Sequence, residues 1–422
     1  MKTLFANGMV YNSKGFEKRH FTVIGNRIHL VDEADFATFD NIVDCSNKYI
    51  LPGLVDVHVH FREPGFLYKE TIATGSKAAA HGGYTTVCTM PNLKPEPSTL
   101  DKLNVQRDII KKDAIVRVIP YGTITSNQSG RGVLSDMEAM APYVCAFSDD
   151  GKGIQADSLM EEAMNKAKSL GKMIVAHCED ETLVAKGAYI NDGQYAKEHG
   201  IVGISKESEW KQIERDLKLV QKTGCPYHIC HVSTKESVDL IREAKKHSIN
   251  VSAETAPHYL LLNETDLKDL GCFKMNPPLR GIEDQKALIV GIKDGTIDVI
   301  ATDHAPHSDE EKARGLKDSP FGIVGLEAAF PTLYTDLVLK QVITFEELIK
   351  LMAIKPRQRF NLPEVYIDEN YIADFIIVDL EKQFEINSQD FESQGHSTPF
   401  DHKLVQGLVE QTYVDGKLVF KI

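Results

Sequence analysis

The sequence lacks the features that mark membrane, secreted or nucleic-acid-binding proteins. Its apolar runs stay well short of the roughly 18–20 residues that a membrane span needs. Positive charge is outnumbered, because 48 Lys and Arg face 61 Asp and Glu for a formal net charge of −13. We therefore expect neither nucleic acid nor a membrane surface as a partner. The amino-terminal segment MKTLFANGMVYNSKGF is interrupted by Asn and Gly, and we expect no signal peptide there.

Cysteine is scarce, and it does not follow a disulfide or metal-binding pattern. The seven cysteines are odd in number and include no CxxC pair, which predicts reduced thiols and a cytoplasmic location. With 422 residues, 42% hydrophobic and 26% charged, the chain has the composition of a globular protein with a large core.

The middle of the chain alternates short runs rich in Val, Ile and Thr with helix-like stretches, and this pattern predicts a parallel sheet. Most runs end in a polar residue suited to chemistry, such as His58, Asn92 or Asp303. In a closed barrel these ends converge on one mouth, whereas in an open sheet they would spread along an edge. We therefore predict an α/β fold, a (β/α)8 TIM barrel. Its expected strands cover residues 50–59, 85–90, 115–120, 144–147, 173–176, 227–230, 250–253 and 297–301.

The two ends of the chain have a different pattern from the middle. They contain short alternating segments such as DFIIVD (374–379), and QTYVDGKLVF (411–420) has a hairpin turn signal at Asp415-Gly416. We predict that residues 1–50 and 356–422 form a small β-sandwich-like domain built from both termini. Residues 51–355 would then form the barrel.

The strand ends supply a set of metal ligands. His58 and His60 lie two apart on a strand and therefore point to the same face. Other strand ends add His177, His231, Asp150 and Asp303. Imidazole and carboxylate ligands suit Zn²⁺, and also Mn²⁺, Co²⁺ or Fe²⁺. Six ligands exceed what one ion needs but suit two ions that share a bridging carboxylate. We assign the bridge to Asp150, with Asp149 as the alternative.

At these residues the chain resembles the amidohydrolase superfamily and, within it, the bacterial dihydroorotases of the barrel-plus-β-domain type. The resemblance extends over almost the whole chain. An HxH pair is common in the superfamily, but the combination of HxHxREPG, MNPPLR and TDHAPH is more specific. The motifs that carry it are DVHVHFREPG (56–65), MPN (90–92), FSDDG (147–151), AHCE (176–179), CHVS (230–233), KMNPPLR (274–280) and ATDHAPH (301–307).

This resemblance implies a metal-dependent hydrolase with two Zn²⁺ ions per chain. One ion would lie among His58, His60, Asp150 and Asp303, and the other among Asp150, His177 and His231. Many relatives bridge their ions with a carboxylated lysine, whereas this chain has Ser148-Asp149-Asp150 at that place. An aspartate bridge is therefore expected, and Lys152 is a weaker, carboxylated candidate.

The resemblance also implies the reaction, which is reversible hydrolysis of the cyclic amide of (S)-dihydroorotate to N-carbamoyl-L-aspartate in pyrimidine biosynthesis. Asp303 would act as the catalytic acid and base. The substrate would be bound by His60, by an Arg62 fork on its carboxylate with help from Asn92 and His307, and by Asn276 and the Phe321-Gly322 backbone on the ring amide.

Several alternatives remain. Another cyclic amidohydrolase, such as an allantoinase or a hydantoinase, would have less need for Arg62, and a non-catalytic scaffold would need no ligands at all. Glu179 and Glu254 are either partners that orient histidines or ordinary loop acids. Residues 308–320 form either a mobile lid or a solvated loop. Family members are often dimers, which makes a homodimer an open expectation.

Overall fold

The computed structural model describes residues 2–422. The strands are β1 (Thr3–Asn12), β2 (Gly15–Ile24), β3 (Arg27–Leu30), β4 (Asn41–Asp44), β5 (Tyr49–Pro52), β6 (Leu54–Val59), β7 (Tyr84–Thr89), β8 (Arg117–Pro120), β9 (Ile174–Ala176), β10 (Tyr227–Ile229), β11 (Val251–Thr255), β12 (Val299–Ile300), β13 (Phe375–Glu385), β14 (Leu404–Val414) and β15 (Lys417–Lys421).

The helices lie mainly between the strands β6 to β13. They are α1 (Ile72–His81), α2 (Leu100–Asp113), α3 (Met137–Met140), α4 (Asp157–Ser169), α5 (Gln194–His199), α6 (Glu207–Thr223), α7 (Lys235–Lys246), α8 (Pro257–Leu261), α9 (Ile282–Asp294), α10 (Asp309–Lys312), α11 (Gly315–Asp318), α12 (Leu326–Leu333), α13 (Phe345–Ile349) and α14 (Lys355–Arg359). A π-helical segment, Lys350–Ile354, joins α13 to α14. Within residues 2–422, no helix is both long and apolar enough to span a bilayer.

Strands β6 to β12 form the barrel. Parallel pairing joins β6 to β7 and β7 to β8, and a second run joins β9, β10, β11 and β12 in that order. Phe147 connects the two runs by parallel bridges to Gly122 and Ile174, and Val59 closes the cylinder on His304. The predicted (β/α)8 barrel with an added β-domain is confirmed. The expected strand at 144–147 is reduced to the bridge at Phe147.

The terminal segments form one continuous sheet in the order β15-β14-β13-β5-β1-β2-β3, with β4 paired to β1. The first part of β13, residues 375–378, is buried on both faces, and its side chains alternate between them. Phe375 and Ile377 enter the core of the terminal sheet, whereas Ile376 and Val378 pack into the main core against the barrel. The predicted Asp415-Gly416 turn joins β14 to β15, since Val414 pairs with Lys417.

The chain passes from the terminal sheet into the barrel at Gly53. The prediction of a single strand over residues 50–59 is wrong, because β5 pairs with β1 and β13 whereas β6 pairs with β7. A Cβ atom at Gly53 would lie 2.2 Å from the Thr85 side chain, so the crossing point leaves no room for one. The division of the chain into domains at residues 50 and 356 stays a prediction.

Candidate active site

The six predicted metal ligands lie together at the carboxyl end of the barrel. His58 belongs to β6 and His60 follows it directly, while the other four come from the segments after Phe147, β9, β10 and β12. All six side chains are buried. The strand ends therefore bring together residues that are up to 245 positions apart in the chain.

One half of the cluster centres on Asp303. Its Oδ1 atom lies 3.1 Å from His60 Nε2 and 3.3 Å from His58 Nε2. The ligand atoms of these three residues all lie within 4.8 Å of one another, as a shared cation requires. This half contains three of the four residues of the first predicted ligand group, and the fourth, Asp150, lies in the other half.

The other half centres on Asp150. Its Oδ1 atom lies 3.4 Å from His58 Nε2, 3.7 Å from His231 Nε2 and 3.8 Å from His177 Nδ1. His231 Nε2 and His177 Nδ1 are 2.9 Å apart and share a hydrogen bond. Asp150 Oδ2 also approaches His60 Nε2 at 3.5 Å. Asp150 thus faces both halves, which is the position that a bridging carboxylate needs.

The structure itself indicates that this cluster is built for cations. His58 Nε2 and Asp150 Oδ1 are buried, and neither of them has a hydrogen-bond partner. The buried His177 Nε2 atom also lacks one, but it faces Glu179 Oε2 at 3.7 Å, and it is Nδ1 of this ring that faces Asp150. Buried polar atoms are normally paired, because an unpaired one is destabilising. A divalent ion between imidazole nitrogens and carboxylate oxygens would satisfy His58 Nε2 and Asp150 Oδ1. The donor set therefore fits the metal that the sequence predicts.

The alternative bridging residues lie elsewhere. Asp149 points away from the cavity and accepts hydrogen bonds from the backbone of Ile124 at 2.7 Å and of Gly130 at 3.1 Å, and from the Thr125 hydroxyl. Its carboxylate therefore anchors the loop that follows β8. Lys152 is exposed to solvent. Neither residue lines the cavity beside the cluster.

Glu254 orients one of the histidines. The Nδ1–H of His58 donates to Glu254 Oε1 at 2.6 Å, which leaves Nε2 free to face the cluster. The second oxygen, Oε2, accepts from His228 Nε2 at 3.0 Å. Burial by itself lowers the pKa of His58, but the carboxylates of Asp303, Glu254 and Asp150 outweigh it and raise that pKa well above its usual value. Of the two alternatives for Glu254, the structure places it as the partner of a predicted ligand.

Sequence reasoning did not single out His228. It lies inside β10, and its Nδ1 accepts from the Ser252 hydroxyl at 2.7 Å. It completes a buried chain from Ser252 through Glu254 to His58. The signal that could have identified it is its position three residues before His231 on a strand otherwise made of apolar residues.

A cavity of about 190 Å³ opens beside the cluster. Arg62 lines it, and among the described residues no carboxylate lies within 4.0 Å of its guanidinium. Glu63, one conceivable partner, instead accepts from the backbone of Ile72. The contacts of Arg62 are to the Pro306 carbonyl and, at 3.5 Å, to His307 Nε2. The cavity thus holds a cation that is available to an anionic ligand.

Two asparagines present free acceptors at the same cavity. Asn92 donates its amide to the Asp150 carbonyl at 2.9 Å, and Asn276 donates to Glu179 Oε1 at 3.2 Å. In both residues the buried Oδ1 atom has no partner. Because each amide group is fixed by its donor side, each carbonyl oxygen is held ready for an N–H group.

His307 lies behind the cavity wall. Its Nε2–H donates to the Phe321 carbonyl at 2.8 Å, and its Nδ1 accepts from Lys69 Nζ at 3.0 Å. Burial, together with Arg62 and Lys69, lowers the pKa of His307 to about 2, so the ring is neutral. Phe321 and Gly322 line the cavity as predicted. Sequence reasoning did not single out Lys69 either.

Three of these residues have a left-handed backbone. The φ angles are +54° at Arg62, +32° at His231 and +49° at Asp303. Residues other than glycine rarely adopt this conformation, and strained positions cluster at functional sites. The turn after each strand thereby redirects the side chain toward the cavity.

Comparisons with known proteins agree with the motifs. A family model described as Dihydro-orotase-like matches residues 47–237. A dihydroorotase of Fusobacterium nucleatum is 48% identical over 99% of this chain and 98% of its own length. A dihydroorotase of Bacillus licheniformis is 46% identical over 100% of this chain and 99% of its own length.

Solved structures share the architecture. An L-hydantoinase (dihydropyrimidinase) from Arthrobacter aurescens superposes with a TM-score of 0.89 at 25% identity, covering 99% of this chain and 96% of that one. A dihydropyrimidinase from Brevibacillus agri gives a TM-score of 0.86 at 22% identity, covering 100% of this chain and 95% of that one. The second likeness concerns the fold alone.

Proposed function

This chain belongs to the dihydroorotase family, and from this premise we propose that its barrel mouth hydrolyses the cyclic amide of (S)-dihydroorotate to N-carbamoyl-L-aspartate, and catalyses the reverse. The assignment of this substrate rests on a single observation, the position of Arg62. Its guanidinium, without a carboxylate partner among residues 2–422, lines the same cavity as the histidine–aspartate cluster. A cyclic amide with a carboxylate matches both features.

We assign two divalent cations, Zn²⁺ by preference, to the cluster. His58, His60 and Asp303 would hold one and His177 and His231 the other, with Asp150 between them. When bound, such ions lower the pKa of coordinated water and polarise an amide carbonyl. The support is the set of buried nitrogen and oxygen atoms that lack partners.

Arg62 and the asparagines would bind and orient the substrate. The planar guanidinium matches a carboxylate with two parallel hydrogen bonds. The free Oδ1 atom of Asn276 would accept a ring N–H group, beside the Phe321-Gly322 backbone that lines the same cavity. The sequence predicts Asn92 as a helper at the carboxylate, but its amide already donates to the Asp150 carbonyl and its free atom is the acceptor Oδ1, so we reassign it to a ring N–H group. His60 and His307 complete the proposed binding set, although His307 donates to the Phe321 carbonyl in this structure and must exchange that bond to contact a ligand.

Asp303 would move the proton. Burial raises the pKa of its carboxyl, but His58 and His60 outweigh burial, and the net pKa lies below the ordinary value. The carboxylate is therefore ionised at neutral pH and can accept a proton from attacking water. It can then deliver that proton to the ring nitrogen as the amide bond breaks, so one group serves both steps.

The test is ring opening by the purified, zinc-loaded protein, followed by absorbance with dihydroorotate as substrate. Allantoin and hydantoin are run in parallel as uncharged ring controls. We expect turnover of dihydroorotate and little of the controls. Activity confined to the controls would favour the hydantoinase alternative, for which the structural likeness to an L-hydantoinase is the supporting observation. No activity and no bound metal would favour the scaffold.

Three smaller expectations accompany the proposal. The described chain contains free cysteines and no disulfide, which fits a cytoplasmic location. A homodimer stays a prediction, which light scattering would check. Residues 308–320 contain the short helices α10 and α11, and their opening as a lid stays a prediction that hydrogen exchange with and without ligand would check.

A further inference from the structure

One buried cation near the cavity has no part in the proposed reaction. Lys312 ends helix α10 and is 5% exposed. Among the described residues no carboxylate comes within 4.0 Å of its ammonium group. Burial lowers the pKa of Lys312 to about 7, because no ion pair offsets the loss of water. A buried lysine without a counter-ion is destabilising, and an apolar side chain would avoid that penalty.

The Lys312 ammonium group binds backbone carbonyls instead. It donates to the Gly322 carbonyl at 2.6 Å, to the Pro320 carbonyl at 2.9 Å and to the Lys274 carbonyl at 3.3 Å. A protonated lysine has three N–H groups, one for each of these acceptors. No other side chain of similar length could supply three donors from one atom.

These carbonyls belong to two segments that form one wall of the cavity. Gly322 lines the cavity, and Lys274 lies two residues before Asn276, which also lines it. The Gly322 N–H donates to the Lys274 carbonyl at 3.0 Å, so the two segments already touch. Lys312 therefore ties the Phe321-Gly322 backbone to the segment that carries Asn276.

The Lys312 backbone is itself fixed in place. Its carbonyl accepts from the Ser319 hydroxyl at 3.0 Å. It also packs so closely against Gly271 that a Cβ there would lie 2.2 Å from the Lys312 oxygen. On the other side, Gly322 has a φ of +131°, and a Cβ at this residue would lie 2.5 Å from the Ala305 oxygen. The attachment is thus rigid at both ends.

We propose that Lys312 is a positioning residue that sets the ring-binding wall of the cavity by holding the Gly322, Pro320 and Lys274 carbonyls together. This inference rests on the proposed function, because it assigns ring contacts to Asn276 and to the Phe321-Gly322 backbone. Such contacts are made in the ground state and the transition state alike. Their loss should therefore raise KM more than it lowers kcat.

The test uses two substitutions in the metal-loaded full-length protein. Lys312→Met removes all donors and keeps the length, whereas Lys312→Gln keeps two donors. We expect KM for dihydroorotate to rise about tenfold in Lys312→Met and less in Lys312→Gln, with kcat within about twofold of the parent. If Lys312→Met does not fold, the Gln variant carries the test.

The matched control is Lys172→Met. Lys172 also donates to a backbone carbonyl, that of Val144 at 2.6 Å, but it precedes β9 at the opposite end of the barrel. The Lys172→Met substitution should lower Tm without changing KM for dihydroorotate. If the folded Lys312 variants keep the parent KM, or change it no more than Lys172→Met does, the inference is overturned.

A second readout is independent of activity. Hydrogen exchange of residues 274–276 and 320–323 should be faster in both Lys312 variants than in the parent, and unchanged in Lys172→Met. If the parent does not turn over dihydroorotate, the proposed function fails. The exchange result then decides by itself whether Lys312 holds the wall, and unchanged exchange would overturn the inference.

Discussion

The barrel mouth and the terminal sheet are both well buried, yet they treat polar groups in opposite ways. At the mouth, buried atoms of His58, Asp150, His177, Asn92 and Asn276 have no partner. Within the described part of the terminal sheet, no buried side-chain nitrogen or oxygen is left unpaired. Polar atoms at the mouth can therefore still bind a ligand, whereas those of the terminal sheet are already used to stabilise the fold.

The terminal sheet is built from aromatic packing. Phe5 stacks on Phe21 with ring centroids 4.9 Å apart, and Phe375 stacks on Tyr413 at 4.5 Å. Its buried Thr22 hydroxyl donates to the Thr3 carbonyl at 2.7 Å. Such a core stabilises the fold but offers nothing to a ligand. Substitutions in the two regions should therefore separate turnover from stability.

The largest expected effect is at the mouth. Asp303→Asn keeps the size of the side chain but cannot accept and return the proton. We expect kcat to fall by about 10³-fold or more, while the protein stays folded and retains most of its metal. Steady-state kinetics and metal analysis of the same preparation would check this. A full rate in the variant would refute the acid–base role.

The matching substitution in the terminal sheet is Phe375→Ala. Phe375 is fully buried among Phe5, Phe21 and Tyr413, and its removal should lower the free energy of unfolding by about 3–5 kcal/mol. We expect KM and kcat of the folded fraction to stay unchanged. Denaturant unfolding would measure the free energy of unfolding, and kinetics at low temperature would measure KM and kcat. A changed KM would mean that the two regions are coupled.

A smaller effect is expected at the carboxylate-binding position. Arg62→Met removes a charge-assisted contact worth about 1.5–3 kcal/mol, so KM for dihydroorotate should rise roughly 10- to 100-fold with a smaller change in kcat. Arg242→Met, which removes a guanidinium paired with Asp239 and Asp294 on the outer helices, is the control. An unchanged KM in Arg62→Met would remove this residue from substrate binding.

The contrast between the regions also explains what the sequence could and could not predict. The periodic Val- and Ile-rich runs, and the polar residues at their ends, are local features, and they predict both the barrel and a cluster that includes His58, His177 and Asp303. The division at Gly53 was missed because apolar residues continue on both sides of Pro52-Gly53 in the segment ILPGLVDVHV (50–59), although a Pro-Gly pair is itself a signal for a break. Only the pairing partners, β13 for β5 and β7 for β6, assign its halves to different sheets.

The roles of neighbouring residues were the hardest to assign from the sequence. Asp149 and Asp150 have the same chemistry, and the choice depends on Thr125 and Gly130, whose groups bind Asp149 from an earlier loop. His228 belongs to the site because it donates to Glu254, which lies 26 positions away in the chain. Contacts of this kind come from tertiary packing, and the local pattern of a strand does not contain them.

The smallest expected effect concerns Glu254, which binds one ring nitrogen of His58 and leaves the other unpaired. Glu254 accepts from His58 Nδ1 and His228 Nε2 and thereby leaves His58 Nε2 as the free atom. Glu254→Gln keeps the shape but loses the charge that favours this tautomer. Substitution of such partners typically weakens metal binding 10- to 100-fold, and we expect about tenfold, at the low end, because the amide oxygen can still accept.

Competition with a chromophoric chelator would measure the zinc affinity of Glu254→Gln against the parent. The control is Asp216→Asn, since Asp216 is an equally buried carboxylate that instead accepts from the Tyr227 hydroxyl at 2.6 Å and from Arg215. Its loss should lower stability and leave zinc affinity unchanged. If both variants bound zinc as tightly as the parent, His58 would be oriented by packing alone. The backbone turns after the strands, and not the buried Glu254 carboxylate, would then set the direction of the unpaired atoms at the mouth.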